Sequence, residues 1–236
     1  MLVLGLAGRA GSGKSAVAEY LVQRYGFMRF SFSDFLYAQV AEAFDLANED
    51  LLRGRATKEV ATPLLALENC ADDEFDYVVR NMFAPEDHFA RTPHSPRQIL
   101  QGWGSDYRRA QNGNYWIDQA EQWLASTQES PQYPEHRCNL FVNDSVRFEN
   151  ERQWIKELEG NVWHLRRDAA APVASHESET PLPVLEGERE IFNNHTLDYL
   201  HMGVDQLLST SAKFVRLEPP MSMVEPAFPS DPEGRN

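Results

Sequence analysis

The chain opens on an unbroken apolar run, Leu2 to Ala7, that ends in a glycine-rich turn. A run of this kind suits a strand buried on both faces of a parallel sheet. From Lys14 to Tyr25, apolar residues return at Val17, Ala18, Leu21 and Val22 with helical spacing, and Gly26 supplies the stop. Phe27 to Phe32 predicts a second strand, with Asp34 as the N-cap of a helix running through Phe44. Residues 48–93 predict helix in pieces, interrupted near Pro63 and Pro85, with an acidic exposed turn at Asp72 to Glu74. Helices over Pro96–Arg109 and Trp116–Ser126 follow, then a strand over Cys138–Val142, a helix over 147–158 and a strand over 162–166. Residues 168–188 carry proline and no periodicity, the pattern of a long loop that serves as a lid. A short strand at Ile191 and Phe192 and a helix over Thr196–Leu208 complete the pattern. The proline-rich tail, 219–236, predicts disorder.

Alternating strands and helices predict an α/β fold, a parallel sheet of about five strands with helices on both faces. A single domain over 1–218 accommodates all of it. Its core is 1–47 and 138–218, with a helical insert at 48–137 and the lid at about 167–188.

Composition narrows the partners. A formal net charge of −14 repels polyanions over most of the surface, so neither nucleic acid nor an anionic membrane is expected. A small phosphorylated ligand needs only a local cluster of cations, and those are mostly guanidinium groups: 18 Arg against four Lys. The two cysteines, Cys70 and Cys138, lie far apart with no metal-ligand spacing, which fits a reduced, cytoplasmic protein. The apolar start is too short to span a bilayer and has no basic leader.

Chemistry enters at Gly8-Arg9-Ala10-Gly11-Ser12-Gly13-Lys14-Ser15, a complete G-x-x-x-x-G-K-[ST] between a buried strand and an amphipathic helix. Glycines let successive backbone N–H groups turn toward phosphate oxygens, and the helix N-terminus adds favourable potential. Gly11, Ser12, Gly13, Lys14, Ser15 and Ala16 are the expected ATP contacts. Lys14 reaches the β- and γ-phosphates and the Ser15 hydroxyl binds Mg²⁺. No guanine-reading N-K-x-D motif is present, nor a long apolar strand ending in Asp-Glu, so a small-molecule kinase is favoured over GTPases and motor ATPases.

Three further segments join this loop: RQILQGWGSDYRRAQNGNYWIDQA at 97–120, FVNDSVRFENE at 141–151, and the run from VWHLRRD at 162 through HESE at 176 to FNNHTLDYL at 192. In that order they resemble the phage deoxynucleoside monophosphate kinases, a branch of the adenylate-kinase-like P-loop kinases. The resemblance spans nearly the whole chain. It implies transfer of the ATP γ-phosphoryl to a dNMP, with Mg²⁺, in the host cytoplasm if the protein is a phage's. Arg147, just past a parallel strand, lies at the crevice where such folds bind ligands; the expectation is that it holds the acceptor phosphate or orients the base. Glu151 pairs with it or meets the substrate, unless the two form a plain surface pair. Asp144 is a candidate for Mg²⁺ or the acceptor, although Ser145 stands where the family carries its Asp. Trp116 falls on the family's aromatic position, to stack on the acceptor base or to pack at a helix start. Arg97 and Arg108 are candidate phosphate contacts and Asp34 and Tyr37 complete the acceptor set, with Tyr37 where relatives often carry Lys. Arg166 and Arg167 at the base of the lid bring charge to the transferring group, Arg167 aligning with the family's Arg. His176 and Glu179 form the lid signature, and Asn194, with Asn193, presents the donor adenine or merely makes a turn. A kinase of another acceptor, such as dephospho-coenzyme A, and a nucleotide-binding regulator are the alternatives. Homodimerisation stays open.

Overall fold

The computed structural model describes residues 1–54, 56–83, 91–130, 139–169 and 181–210. Five strands form one parallel sheet, β1 (Leu2–Ala7), β2 (Met28–Phe30), β3 (Leu140–Val146), β4 (Asn161–Arg166) and β5 (Arg189–Phe192), in the spatial order β2-β3-β1-β4-β5. The apolar opening run forms the central strand, with Val3 to Ala7 buried. Successive side chains feed opposite faces. Val3 and Ala7 join one apolar core beneath α2 (Phe32–Ala43), α6 (Tyr115–Glu129) and α7 (Glu149–Glu157). Leu4 and Leu6 join the other, against α1 (Lys14–Tyr25) and α8 (Leu197–Thr210). This is the predicted α/β arrangement.

Helix α1 ends at Gly26, whose left-handed backbone (φ 72°) lets its N–H close onto Val22 O, the cap that glycine favours. The next strand is shorter than expected. Only Met28–Phe30 pairs with β3, and α2 already begins at Phe32, with Ser31 as N-cap and Asp34 inside the first turn. Asp34 is therefore not the cap. The Phe32 N–H explains the early turn, since it donates to Ser145 Oγ on β3 at 2.9 Å and stops pairing as strand. Strand β3 is longer than predicted, Leu140–Val146, so Asn143, Asp144 and Ser145 lie on the sheet.

The insert holds α3 (Asp50–Arg53), two short 3₁₀ turns at Pro63–Leu65 and Leu67–Asn69, α4 (Asp73–Phe83) and α5 (Pro96–Gln101). The acidic stretch at Asp72 is a helix start rather than an exposed turn: Asp72 Oδ1 accepts the Phe75 N–H at 2.8 Å, and Asp73, Glu74 and Asp76 follow in the first turn. The helix expected over Pro96–Arg109 is continuous but not uniform. It runs as α5 under a Ser95–Gln98 capping box, then widens into π winding over Gly102–Arg109. The residue pairing of the sheet leaves one edge, the carboxyl ends of β1, β3, β4 and β5, as the common exit of Gly8, Arg147, Arg167 and Asn193.

Candidate active site

At that edge, β1 runs into the glycine-rich loop and α1. Gly8 (φ 142°) and Gly13 (φ 107°) take backbone angles that side chains rarely adopt. A Cβ on Gly8 would collide with the Leu165 carbonyl, and one on Gly13 with the Asn193 amide nitrogen, so neither position admits another residue. Helix α1 starts without a side-chain cap and without an acidic residue in its first turn, leaving its N–H groups to an anion. Lys14 Nζ donates to Gly8 O at 2.7 Å and Arg9 O at 3.0 Å, which folds the ammonium over its own loop. Ser12 is 1% exposed, and its Oγ has no hydrogen-bond partner among the described residues. A buried hydroxyl of this kind is costly unless a ligand completes it.

Beside this loop lies a cleft of about 150 Å³. Its walls come from β3 and α7 (Ser145, Arg147, Phe148, Glu151), from α2 (Phe32, Leu36, Tyr37), and from the insert (Lys58, Arg97, Gln101, Ser105, Arg109, Trp116). Glu151 organises the inner end. Fully buried, it accepts the Arg147 N–H at 2.8 Å and the Phe148 N–H at 3.1 Å, and it pairs with the Arg109 guanidinium. Burial raises this carboxyl's proton affinity, against the pull of Arg109 and the two N–H groups. Arg109 also stacks 3.8 Å over the Phe148 ring, so its fork is held in one orientation. Arg97 pairs with Glu59 on the outer rim.

A protein of Acanthamoeba polyphaga mimivirus named "Putative deoxynucleotide monophosphate kinase" is 30% identical over 208 residues, 84% of this chain and 91% of its own length. The chain belongs to that kinase family. No family model matches the chain. Among solved structures, an unliganded sugar kinase from Janibacter sp. HTCC2649 aligns over 91% of this chain and 98% of its own at a TM-score of 0.40 and 12% identity.

The kinase brings together Tyr37, Arg97, Trp116, Arg147 and Glu151 in the cleft, five of the residues expected there. Trp116 is 4% exposed and its Nε1–H donates to Gly104 O at 3.2 Å, so the ring is both core and cleft wall. Tyr37 lies under the Arg53 guanidinium at 4.4 Å. Burial raises its hydroxyl above the ordinary tyrosine value, with Arg53 and Arg147 opposing. Asp34 is at the rim, paired with the same Arg53 at 2.8 Å.

Three expectations need correction. Arg147 and Glu151 do not pair through their side chains; the carboxylate takes the Arg147 backbone N–H, and Arg109 is its guanidinium partner. Arg108 turns away from the cleft onto Asp72 (3.3 Å) and the face of Tyr107 (4.2 Å). Asp144 is buried against Arg29 at 2.9 Å across β2 and β3, its charge already matched. The Arg108 correction has a cause in the helix. An α-helical register would carry one face through 97, 101, 104 and 108; with π winding from Gly102 the cleft keeps 97, 101 and 104 but takes 105 and 109 in place of 108.

On the other side of the loop, Arg166 pairs with Glu190, and Arg167 is exposed. Both asparagines are tied into the fold by their side chains. Asn193 Nδ2 donates to Ser12 O at 3.0 Å and braces the phosphate loop, while Asn194 exchanges two hydrogen bonds with Asp168, at 2.8 and 2.9 Å. Below them Glu188, buried, accepts from Leu185 N–H at 2.9 Å and faces Lys156 (2.9 Å) and His164 Nε2 (2.7 Å). Burial raises the Glu188 carboxyl, but these partners more than reverse it and hold it below the ordinary value. His176 and Glu179, with most of the expected lid, lie outside the described residues, as does the tail at 219–236. No helix among the described residues is long and apolar enough to cross a membrane.

Sequence reasoning missed Lys58, Gln101 and Ser105 as cleft residues and passed over Arg109 for its neighbour. The signal that was present is Gly102 and Gly104 inside a helical pattern, where a change of winding is easiest.

Proposed function

We propose that this kinase transfers the γ-phosphoryl of ATP to the 5′-phosphate of a deoxynucleoside monophosphate, giving ADP and dNDP for DNA precursor synthesis. The observation that carries the reading is a strand register. Ala7 pairs with Val146 on adjacent parallel strands, so the phosphate loop beginning at Gly8 and the cleft beginning at Arg147 leave the sheet side by side. An anion cradle and a guanidinium-lined cleft set next to each other suit two phosphorylated ligands meeting head to head. The name of the mimivirus relative supports a deoxynucleotide as the acceptor.

On this reading the N–H groups of Gly11 to Ala16 hold the ATP phosphates, and Lys14 moves from its loop carbonyls to the β- and γ-phosphates. The uncommitted Ser12 hydroxyl and the uncapped α1 terminus fit such a polyphosphate. Ser15 is exposed at the first turn of α1 and is the side chain that would hold Mg²⁺, with phosphate and water oxygens completing the set. The ion would neutralise charge on the β- and γ-oxygens. Arg147 and Arg109 take the acceptor phosphate, whose oxygen forms the new P–O bond as the β–γ bridging oxygen departs with the electron pair as ADP. Arg166 and Arg167 approach from β4 to stabilise the equatorial oxygens. An acceptor phosphate is already anionic, so no general base is required, and Trp116 offers its ring to the acceptor base.

The test is ADP release by purified protein with ATP and Mg²⁺ against each dNMP and dephospho-coenzyme A. One or more dNMPs should stimulate turnover. ATP turnover indifferent to every dNMP, or raised only by dephospho-coenzyme A, contradicts the reading.

A further inference from the structure

The polar groups of the cleft divide into committed and uncommitted ones. Arg97 is held by Glu59, Arg109 by Glu151, and the Ser33 hydroxyl by Ser31 at 2.7 Å. The Gln101 carboxamide also lines the cleft, partly buried, and forms no side-chain hydrogen bond with any described residue. A second glutamine nearby shows what commitment looks like. Gln39 accepts the Trp103 indole N–H at 3.1 Å through its oxygen and donates to Tyr115 at 2.8 Å through its nitrogen. Indole nitrogen only donates, so the Gln39 amide has a fixed sense. Gln101 has none.

Its place along the wall matters equally. Gln101, the last residue of α5, and Ser105 and Arg109 of the π-wound segment that continues it all line the cleft. Arg109 marks the phosphate end, because it shares Glu151 with the Arg147 backbone beside the phosphate loop. Two turns back, roughly 12 Å at an α-helical rise and somewhat less with π winding, Gln101 is at the end where a nucleotide's base would lie. The apolar Leu36, Leu100 and Trp116 line the same cleft.

We propose that the Gln101 carboxamide is the base-reading group of the acceptor cleft. Its freedom to turn over lets one site take bases that present C=O beside N–H (thymine, guanine) and bases that present an amino group beside a bare ring nitrogen (cytosine, adenine). A carboxamide offers one donor and one acceptor side by side, and a half-turn exchanges them, so it matches either edge with two hydrogen bonds. The inference rests on the cleft being the acceptor site of a nucleotide kinase.

Two substitutions test it. Gln101→Leu keeps the volume and removes both hydrogen-bonding groups, so KM for every accepted dNMP should rise about tenfold or more while KM for ATP and the melting temperature stay put. Gln101→Glu only accepts. Guanine alone offers two adjacent donors to a carboxylate, N1–H and the 2-amino group, so the kcat/KM ratio of dGMP to dTMP should rise at least tenfold over the unaltered protein. Unchanged dNMP kinetics in Gln101→Leu, an unmoved ratio in Gln101→Glu, or an unaltered enzyme confined to one base overturns the inference and leaves the kinase reading intact. If the unaltered protein phosphorylates no nucleoside monophosphate, the reading of the cleft has failed and Gln101 falls with it.

Discussion

The two phosphate-facing regions are built by opposite means. The donor side is eight consecutive residues whose chemistry is mainly backbone: positive-φ glycines, an uncapped helix start, and a lysine folded onto its own loop. The acceptor side is side-chain chemistry drawn from several distant segments, and its charges are held by partners far apart in sequence, as Arg109 is by Glu151. A contiguous backbone device survives as a written motif. A distributed one exists only once the chain has folded.

The contrast makes graded predictions. Lys14→Ala removes the ammonium that the donor loop brings to the β- and γ-phosphates, and kcat should fall about 10²–10³-fold with the melting temperature unchanged, the scale for losing one charge-stabilising donor at a reacting centre. Steady-state kinetics alongside thermal unfolding measure this, and a surviving kcat would detach the loop from the chemistry. Arg147→Ala should lower kcat/KM for the acceptor about 10–100-fold, the equivalent of a charged hydrogen bond of about 1.5–3 kcal/mol, while leaving KM for ATP nearly unmoved. An equal loss in both substrates would mean that the two regions are not separable.

Glu188→Gln probes the scaffold below the donor side. Glu188 titrates below its ordinary value of 4.5, so its stabilisation is complete above that value and is lost as pH falls through the lower folded-state one. The substitution should reduce stability near neutral pH by about 1–3 kcal/mol, the cost of unmatched buried partners. Chemical denaturation across pH should then show a shallower acid limb below about pH 4.5 than in the unaltered protein. An acid limb identical in both proteins would exclude Glu188 as its source. Asn193→Ala is the mildest change. It deletes the brace on the Ser12 carbonyl and should weaken ATP binding by about 1 kcal/mol, near fivefold, without affecting dNMP affinity. Titration calorimetry with each ligand distinguishes the two.

How much could be read beforehand follows the same division. The sheet and its helices were legible because the central strand β1, buried on both faces, is a plain apolar run and α1 ends on a glycine that can turn left-handed. The edges were not. Strand β2 ends at Phe30 because the Phe32 N–H finds Ser145, a partner more than a hundred positions away. Arg108 was named beside Arg97 as a phosphate contact, whereas along the helix that becomes π-wound at Gly102–Arg109 it is Arg109 that lines the wall. Asp144 read as an available carboxylate because nothing local announces Arg29 on the neighbouring strand. Asn193 and Asn194 read as turn residues or adenine contacts, whereas folding ties one to the phosphate loop and the other to Asp168.

The most direct examination of two nucleotides meeting at the β1–β3 edge is calorimetric titration with a bisubstrate analogue, adenosine and deoxythymidine joined through their 5′ positions by five phosphates, in the presence of Mg²⁺. The analogue should bind far more tightly than ATP or dTMP alone, and Lys14→Ala and Arg147→Ala should each remove most of that advantage. Binding no tighter than ATP, or an advantage untouched by Arg147→Ala, would contradict it.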